Sequence, residues 1–177
     1  MKRIFCGLMF LLLSFSVAGC GYSPRSSMPS SLRTIYITDF KNKIDFSEGS
    51  ARNTYLPLLE VKVRNAIINR YQFDGALRIA PKEKANLILA GDLVNYSRDP
   101  LRYQDNNVDV LEYRVHISVD LKLTDTARKE SLWNESGFSG DATYVVSGPT
   151  ASSEAAAVEK ATDDLARRVV ERTVENW

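Results

Sequence analysis

Apolar and polar side chains alternate without a break in Glu112-Tyr113-Arg114-Val115-His116-Ile117-Ser118-Val119-Asp120-Leu121-Lys122-Leu123-Thr124. Because successive side chains of a β-strand point to opposite faces, this pattern predicts a strand with one buried face and one solvated face. Such alternation is typical of an antiparallel sheet that is covered on one side only. The buried face needs a second layer, which the rest of the chain has to provide.

Strand patterns flank this segment on both sides. Residues 87–94 are largely apolar on both faces, as expected of an inner strand, and residues 35–40 are rich in β-branched and aromatic side chains. Residues 132–144 form a predicted fourth strand, in which Gly137 and Gly140 either loosen the strand or mark bulges. The sequence therefore predicts four strands of ordinary or greater length.

Two amphipathic helices are predicted to cover the apolar face. The first starts at an N-cap, Asn53 or Thr54, and runs to about Tyr71, whereas the second is capped by Ser152 or Ser153 and ends the chain. Apolar residues recur at helical spacing in both helices. They are Leu56, Leu59, Val63, Ala66 and Ile67 in the first, and Val158, Ala161, Leu165, Val169 and Val170 in the second.

The predicted fold class is α+β. A four-stranded, mostly antiparallel sheet carries two helices packed on one face, and the elements follow in the order β-α-β-β-β-α. Residues 77–79 are a candidate for one further, short extended piece. We expect this single domain to span residues 33–177.

The segment that joins the second and third predicted strands, residues 97–109, is a candidate binding loop. It is longer than an ordinary hairpin connection, and long loops in compact domains are often either functional or disordered. Arg98 and Arg102 suit a phosphate group, because a guanidinium binds phosphate bidentately, while Leu101 and Tyr103 suit acyl chains. The alternative is a solvated tip with ordinary charges, and the residues alone leave both interpretations open.

Other motifs give no catalytic or metal site. The single histidine, His116, lies on the polar side of its strand, which favours a solvated or interface residue over a catalytic one. Residues 105–109 begin like a calcium loop, but Val110 replaces the glycine and His116 replaces the bidentate glutamate that such a loop requires. We expect no enzymatic activity and no metal ion.

The N-terminal residues read as a secretory signal that ends at a lipid acceptor. Lys2 and Arg3 precede an uncharged apolar run, residues 4–17, which is shorter than the roughly 20 residues that span a membrane. Val17-Ala18-Gly19-Cys20 resembles a bacterial lipobox, in which the cysteine thiol carries a diacylglycerol, with acyl chains such as palmitate. The alternative is an ordinary cleaved signal followed by a free thiol.

This interpretation divides the chain into a cleaved signal peptide (1–19), a lipidated cysteine with its tether (20–32) and the domain. Gly21, rather than Asp, follows Cys20, which favours the outer membrane in lipoproteins of the common type. Of 177 residues, 158 remain after cleavage, with 21 basic and 22 acidic side chains once Lys2 and Arg3 are removed. A nearly neutral domain is unlike a nucleic-acid-binding protein. We expect no cofactor other than the lipid on Cys20.

Six stretches distributed along the mature chain resemble the lipopolysaccharide-assembly lipoprotein (LptE) family. They are Gly19-Cys20-Gly21-Tyr22, Ile35-Tyr36-Ile37-Thr38-Asp39-Phe40-Lys41-Asn42, Ala85-Asn86-Leu87-Ile88-Leu89-Ala90-Gly91, Glu112-Tyr113-Arg114-Val115, Gly140-Asp141-Ala142-Thr143-Tyr144-Val145-Val146-Ser147-Gly148 and Glu171-Arg172-Thr173-Val174-Glu175-Asn176-Trp177. The resemblance implies two helices against a four-stranded sheet, in agreement with the fold predicted from the patterns.

The resemblance also implies a function. Family members are outer-membrane lipoproteins on the periplasmic face that plug the LptD β-barrel, assist its assembly and take part in lipopolysaccharide delivery to the cell surface. They bind lipopolysaccharide through basic residues, one of which lies between the second and third strands, where Arg102 fits and Arg98 is its neighbour. A second basic residue follows the fourth strand in the family, whereas residues 144–158 here contain neither Lys nor Arg.

A second function is compatible with the same anchor and domain size. An outer-membrane lipoprotein can also activate a cell-wall synthase or pilot a secretin to its place in the envelope. These functions differ in the protein partner, which the sequence does not identify.

Overall fold

The alternating segment forms an inner strand of the sheet in the computed structural model. The structure describes residue 29 and residues 31–45, 56–104 and 108–175. The predicted signal peptide, Cys20, the proposed caps Asn53 and Thr54 and the start of the calcium-like motif lie outside these residues.

Within the described residues, six strands form one sheet in the order β3-β1-β4-β5-β6, with β2 also paired to β4. Two α-helices accompany them, together with a short 3-10 turn at Lys82–Lys84. The elements are β1 (Thr34–Ile37), β2 (Lys41–Asn42), α1 (Leu59–Asp74), β3 (Arg78–Ile79), β4 (Leu87–Tyr103), β5 (Val110–Asp125), β6 (Glu130–Val145) and α2 (Glu154–Glu175).

The predicted α+β class and the two helices are confirmed, but the four-stranded count is wrong and the sheet is mixed. β4, β5 and β6 form the expected antiparallel meander. β1 instead runs parallel to both β3 and β4, and β2 also runs parallel to β4. The parallel pairing arises because α1 carries the chain back across the sheet between β1 and β4. β3 confirms the short extended piece predicted at residues 77–79, whereas β2 was not predicted because two residues are too few to produce a periodic pattern.

The helices begin and end through different kinds of cap. α1 starts later than predicted, after Leu58, which adopts a left-handed conformation and makes no side-chain cap. The ring of Pro57 disfavours helical geometry at Leu56, the residue before it. The predicted first turn therefore does not form, and the helix begins only at Leu59. α1 ends at Gly75, whose N–H donates to the carbonyl of Tyr71. The cap predicted for α2 is confirmed at Ser153, whose Oγ accepts the N–H of Ala156 at 3.1 Å.

The two helices and one face of the sheet enclose a single hydrophobic core. Alternate residues of β5 are fully buried there, together with Val63 and Ile67 of α1 and Leu165 of α2. α2 lies directly on β6 at Gly140, where a Cβ atom would be 2.4 Å from the carbonyl oxygen of Ala161. The predicted bulge is confirmed at Gly137, which has a positive φ of 66° next to a register shift between β5 and β6.

Beyond the residues that pair with β1 and β2, the far end of the sheet is a three-stranded ribbon. We call residues 95–103 of β4, 110–118 of β5 and 139–145 of β6 the distal ribbon. One side of β4 pairs with β5. On the opposite side, β1 and β2 pair only with residues 87–93, so among the described residues no strand pairs with the distal part of β4 on that side. The chain enters the domain at the opposite end of the sheet, where Ile35 pairs with Leu87.

The buried phenol of Tyr71 joins the two helices by a hydrogen bond, and its burial makes the free energy of unfolding decrease at alkaline pH. The Tyr71 hydroxyl donates to Thr173 Oγ1 at 2.8 Å, and burial raises the pKa of this phenol above its ordinary value of 10.0. The unfolded chain therefore releases the proton first, so the stabilisation is complete below pH 10 and decreases as pH rises further, by up to about 1.4 kcal/mol per pH unit.

We expect Tyr71→Phe to reduce this alkaline loss of stability, at a cost of roughly 1 kcal/mol near neutral pH for the lost hydrogen bond. Urea unfolding between pH 8 and about pH 11 measures both effects. Tyr103→Phe, which removes a half-exposed phenol, is the control for deletion of one hydroxyl. Parallel pH dependences for the parent and Tyr71→Phe would contradict the prediction.

Candidate functional site

Arg98 and Arg102 lie on a strand and not on a long loop. β4 continues to Tyr103 and pairs with β5 throughout, so the connection between them is Gln104–Asp109 and not residues 97–109. The boundary predicted at Ser97 was wrong because Asp99 and Pro100 resemble loop residues. Pro100 is tolerated because no described strand pairs with β4 there on the side away from β5, so the missing N–H costs no ladder hydrogen bond to such a strand.

Arg98 is held against the start of α2. Its Nη1 lies 2.6 Å from Oε2 of Glu154, and its guanidinium carbon lies 4.9 Å from the centre of the Tyr113 ring. Tyr113 in turn stacks on Tyr144, with 5.6 Å between ring centres. Arg98 points to the helix side because a register shift between Leu93 and Asn95 exchanges the two faces of β4.

Glu154 is the centre of this cluster. The hydroxyl of fully buried Tyr96 donates to its Oε1 at 2.7 Å, and the hydroxyl of Tyr144 lies 3.5 Å from Oε2. Partial burial acts to raise the pKa of the Glu154 carboxyl, but the hydrogen bonds from Tyr96 and Arg98 outweigh it and the pKa is lowered. Glu154 is therefore a fixed carboxylate at neutral pH.

Arg102 makes a separate ion pair on the ribbon. Its Nε lies 2.5 Å from Oε2 of Glu112, its register partner on β5. The hydrogen bond from Arg102 lowers the pKa of Glu112, and Thr143 contributes a second hydrogen bond. This carboxylate is also ionised at neutral pH.

The structure does not bring the two arginines to one point. Arg98 lies opposite Val115, on the face covered by α2, whereas Arg102 lies opposite Glu112, on the face that neither described helix covers. The two guanidinium groups therefore flank the open edge of β4 from opposite sides. A ligand that contacts both of them has to extend around this edge.

Exposed apolar side chains surround the end of the ribbon. Leu101 and Tyr103 on β4, Val108 in the connection and Val146 after β6 are between 41% and 77% exposed. Val146 lies close to this end because its N–H donates to the carbonyl of Leu111. The arginines therefore stand beside an apolar tip, an arrangement that suits an amphiphile with an anionic headgroup.

His116 belongs to a hydrogen-bonded row on the face that the described helices leave uncovered. Its Nδ1 lies 2.6 Å from Asp141 Oδ1, and its Nε2 lies 2.8 Å from Ser118 Oγ. The connectivity is that of a Ser-His-Asp triad, and Ser118 is 5% exposed. These hydrogen bonds give His116 a structural role, because its side chain links β5 to β6 through Asp141.

Two other classes of site have no support in the part of the chain that the structure describes. No group of three or more His, Cys, Asp or Glu side chains is placed to hold a metal ion there. Neither described helix is both long and apolar enough to cross a bilayer.

The partners of the arginines were not predicted from the sequence. Glu112 lies ten residues from Arg102, so the correct hairpin register would have identified it. Glu154 lies 56 residues from Arg98, and no local pattern relates the two. The sequence patterns placed Tyr113 and Tyr144 in strands, but nothing in the sequence indicated that they and Tyr96 would meet Arg98 and Glu154.

Comparisons with known proteins define the family. A model of the family described as Lipopolysaccharide-assembly (LptE) matches residues 32–173. No curated protein matches the chain.

Solved structures support the fold. A protein from Xanthomonas campestris is similar with a TM-score of 0.56 and 14% identity, over 86% of this chain and 90% of that one. A hypothetical protein from Chlamydia trachomatis is similar with a TM-score of 0.54 and 14% identity, over 80% of this chain and 95% of that one.

Proposed function

This chain belongs to the lipopolysaccharide-assembly (LptE) family, a family of non-enzymatic lipoproteins, and from that premise we propose a function in the outer membrane. The mature protein is anchored on the periplasmic face through lipid on Cys20. It associates with an LptD-type β-barrel as a plug, assists assembly of the barrel and takes part in lipopolysaccharide delivery to the cell surface. It performs no catalysis itself.

The observation that carries this proposal is the family match over nearly the whole mature domain. The lipobox at Cys20 supports membrane attachment independently, because it precedes the matched region and lies at the end of a signal-like segment.

The experiment that tests the barrel association is affinity purification of the full-length lipidated protein from detergent-solubilised outer membranes. We expect an LptD-type barrel to co-purify in a defined ratio. Recovery of the protein alone, under conditions that preserve other envelope complexes, would contradict the association. Recovery of a cell-wall synthase or a secretin would instead support the second function.

We further propose that the distal ribbon binds lipopolysaccharide. The guanidinium groups of Arg98 and Arg102 contact phosphate groups, and the apolar tip contacts acyl chains. The exposure of both arginine side chains, 43% and 59%, supports this role. Segment 144–158 contains no basic residue, so the arginines of the distal ribbon are Arg98, Arg102 and the exposed Arg114.

The combined substitution Arg98→Ala and Arg102→Ala is expected to weaken lipopolysaccharide binding by about tenfold or more, because two charge-assisted phosphate contacts are lost. The melting temperature should change little, since both guanidinium groups are exposed and each carboxylate keeps a second hydrogen-bond donor, Tyr96 or Thr143. The matched control is Arg78→Ala with Arg128→Ala, which removes the same charge at the other end of the sheet. Equal affinity of the two double variants for lipopolysaccharide would contradict binding by the distal ribbon. It would not affect the proposed association with the barrel.

A further inference from the structure

Three segments meet at the end of the sheet where the chain enters the domain. The entry surface, as we define it, consists of residues 31–33, 81–86 and 125–130. Hydrogen bonds join its segments, because the N–H of Arg33 donates to Oδ1 of Asn86 at 3.1 Å and the N–H of Thr126 donates to the carbonyl of Asn86 at 2.9 Å. The three segments therefore form one continuous surface.

The entry surface carries an excess of positive charge. Its five basic residues are Arg33, Lys82, Lys84, Arg128 and Lys129, and its three acidic residues are Glu83, Asp125 and Glu130. Two of these carboxylates lie beside Arg128, with Asp125 at 3.9 Å and Glu130 at 3.4 Å. The three lysines are exposed, and Glu83 is the one acidic residue of the surface that remains to oppose them. The surface is therefore complementary to an anionic partner.

The covalent chain holds this surface close to the proposed lipid anchor. Cys20 lies 13 residues before Arg33, so the two residues are at most about 45 Å apart. A linked site meets its partner at an effective concentration on the order of millimolar, so contacts that are weak individually become significant. Each Lys or Arg near an anionic bilayer strengthens binding about fivefold. A few lysines are therefore enough to orient a domain that is already anchored.

We propose that the entry surface docks on a bilayer that contains anionic phospholipid, with Lys82, Lys84 and Lys129 against the headgroups. This inference rests on the proposed lipid on Cys20 and goes beyond it, because it assigns an orientation and a lipid class to the anchored domain. It applies to the protein before it enters a barrel. The distal ribbon, at the opposite end of the sheet, then points away from the leaflet that holds the anchor.

The test uses the full-length lipidated protein in vesicles of phosphatidylcholine with or without phosphatidylglycerol. Ala127→Cys provides a thiol for a fluorescent label in the entry surface, and Leu101→Cys provides one at the apolar tip. The other cysteine of the predicted mature chain is Cys20, which carries the lipid. A nitroxide on the lipid headgroups quenches a label that lies near them. We expect stronger quenching at Ala127→Cys than at Leu101→Cys, an increase with phosphatidylglycerol and a decrease with added salt.

The combined substitution Lys82→Gln, Lys84→Gln and Lys129→Gln should lower the ratio of docked to undocked protein about a hundredfold. Phosphatidylglycerol should then no longer increase the quenching. Arginine at the same three positions keeps the charge and should keep the quenching, which separates loss of charge from loss of structure. The matched control removes one exposed lysine each from β2, α1 and α2, by Lys41→Gln, Lys62→Gln and Lys160→Gln.

The outcomes separate this proposal from the lipid anchor. Quenching at Ala127→Cys that is independent of phosphatidylglycerol, or weaker than at Leu101→Cys, would overturn the docking and leave the anchor unaffected. An equal loss of quenching in the control variant would also overturn it, because net charge alone would then explain the contact. A parent protein that does not incorporate into the vesicles would overturn the anchor and the docking together.

Discussion

Gly140→Val is expected to lower the free energy of unfolding by about 3 kcal/mol or more, the upper range for overpacking a core. The first added carbon would lie 2.4 Å from the Ala161 carbonyl oxygen and 2.5 Å from the Leu165 amide nitrogen. Both are backbone atoms of α2, so no side-chain rotation can relieve the clash. The helix has to move away from β6, and the packing of its fully buried residues is lost with it.

Thermal unfolding followed by circular dichroism measures this effect, and we expect a decrease in Tm of roughly 6–12 °C for a domain of this size. Gly137→Ala provides the contrast. Gly137 lies three residues from Gly140 in the same strand. An added Cβ there would have no atom of another segment within 4 Å, so only the positive φ of this residue strains the alanine. Its expected cost is about 1 kcal/mol. A Gly140→Val protein as stable as the parent would mean that α2 does not lie directly on β6.

Cys20→Ala is expected to abolish acylation and release the protein from the outer-membrane fraction. Each buried CH₂ of an acyl chain contributes about 0.8 kcal/mol, and two chains are sufficient for stable attachment, whereas one gives only marginal binding. No other cysteine remains in the predicted mature chain to carry the lipid. The substitution therefore removes the entire anchor.

Mass spectrometry of the mature N-terminus, incorporation of labelled palmitate and membrane flotation measure the three parts of this expectation. Cys6→Ala is the matched control, because it makes the same chemical change inside the predicted signal peptide and should leave acylation intact. An unmodified thiol at the N-terminus of the parent protein, or Cys20→Ala protein that still floats with outer membranes, would contradict the lipid anchor.

The features predicted correctly from the sequence are those that a single segment specifies by itself. The unbroken alternation of β5 identified its buried residues, because a one-residue change of register would expose all of them. Ser153 was one of two serines predicted as the cap of α2, because a serine hydroxyl before a helix can accept a backbone N–H of its first turn, and in the structure it accepts that of Ala156. The bulge at Gly137 was one of two alternatives that the glycine residues allowed.

The features that could not be predicted depend on contacts between distant segments. The distal part of β4 reads as a loop because Asp99 and Pro100 are poor strand formers, and pairing with β5 overrides their preferences. The parallel position of β1 depends on the route of α1. For the candidate site, the arginines were found from their charge, but their separation onto two faces follows from a register shift between Pro100 and Arg102.

β4 is long enough to place the point of chain entry and the apolar tip a full membrane thickness apart. Its 17 residues span about 50 Å from Leu87, beside the point of chain entry, to Tyr103 at the apolar tip. A bilayer with its headgroups is about 40–45 Å thick. If the proposed association with a barrel holds the molecule upright, its length is therefore enough to reach from one surface of the membrane to the other, with the proposed anchor and the apolar tip on opposite sides.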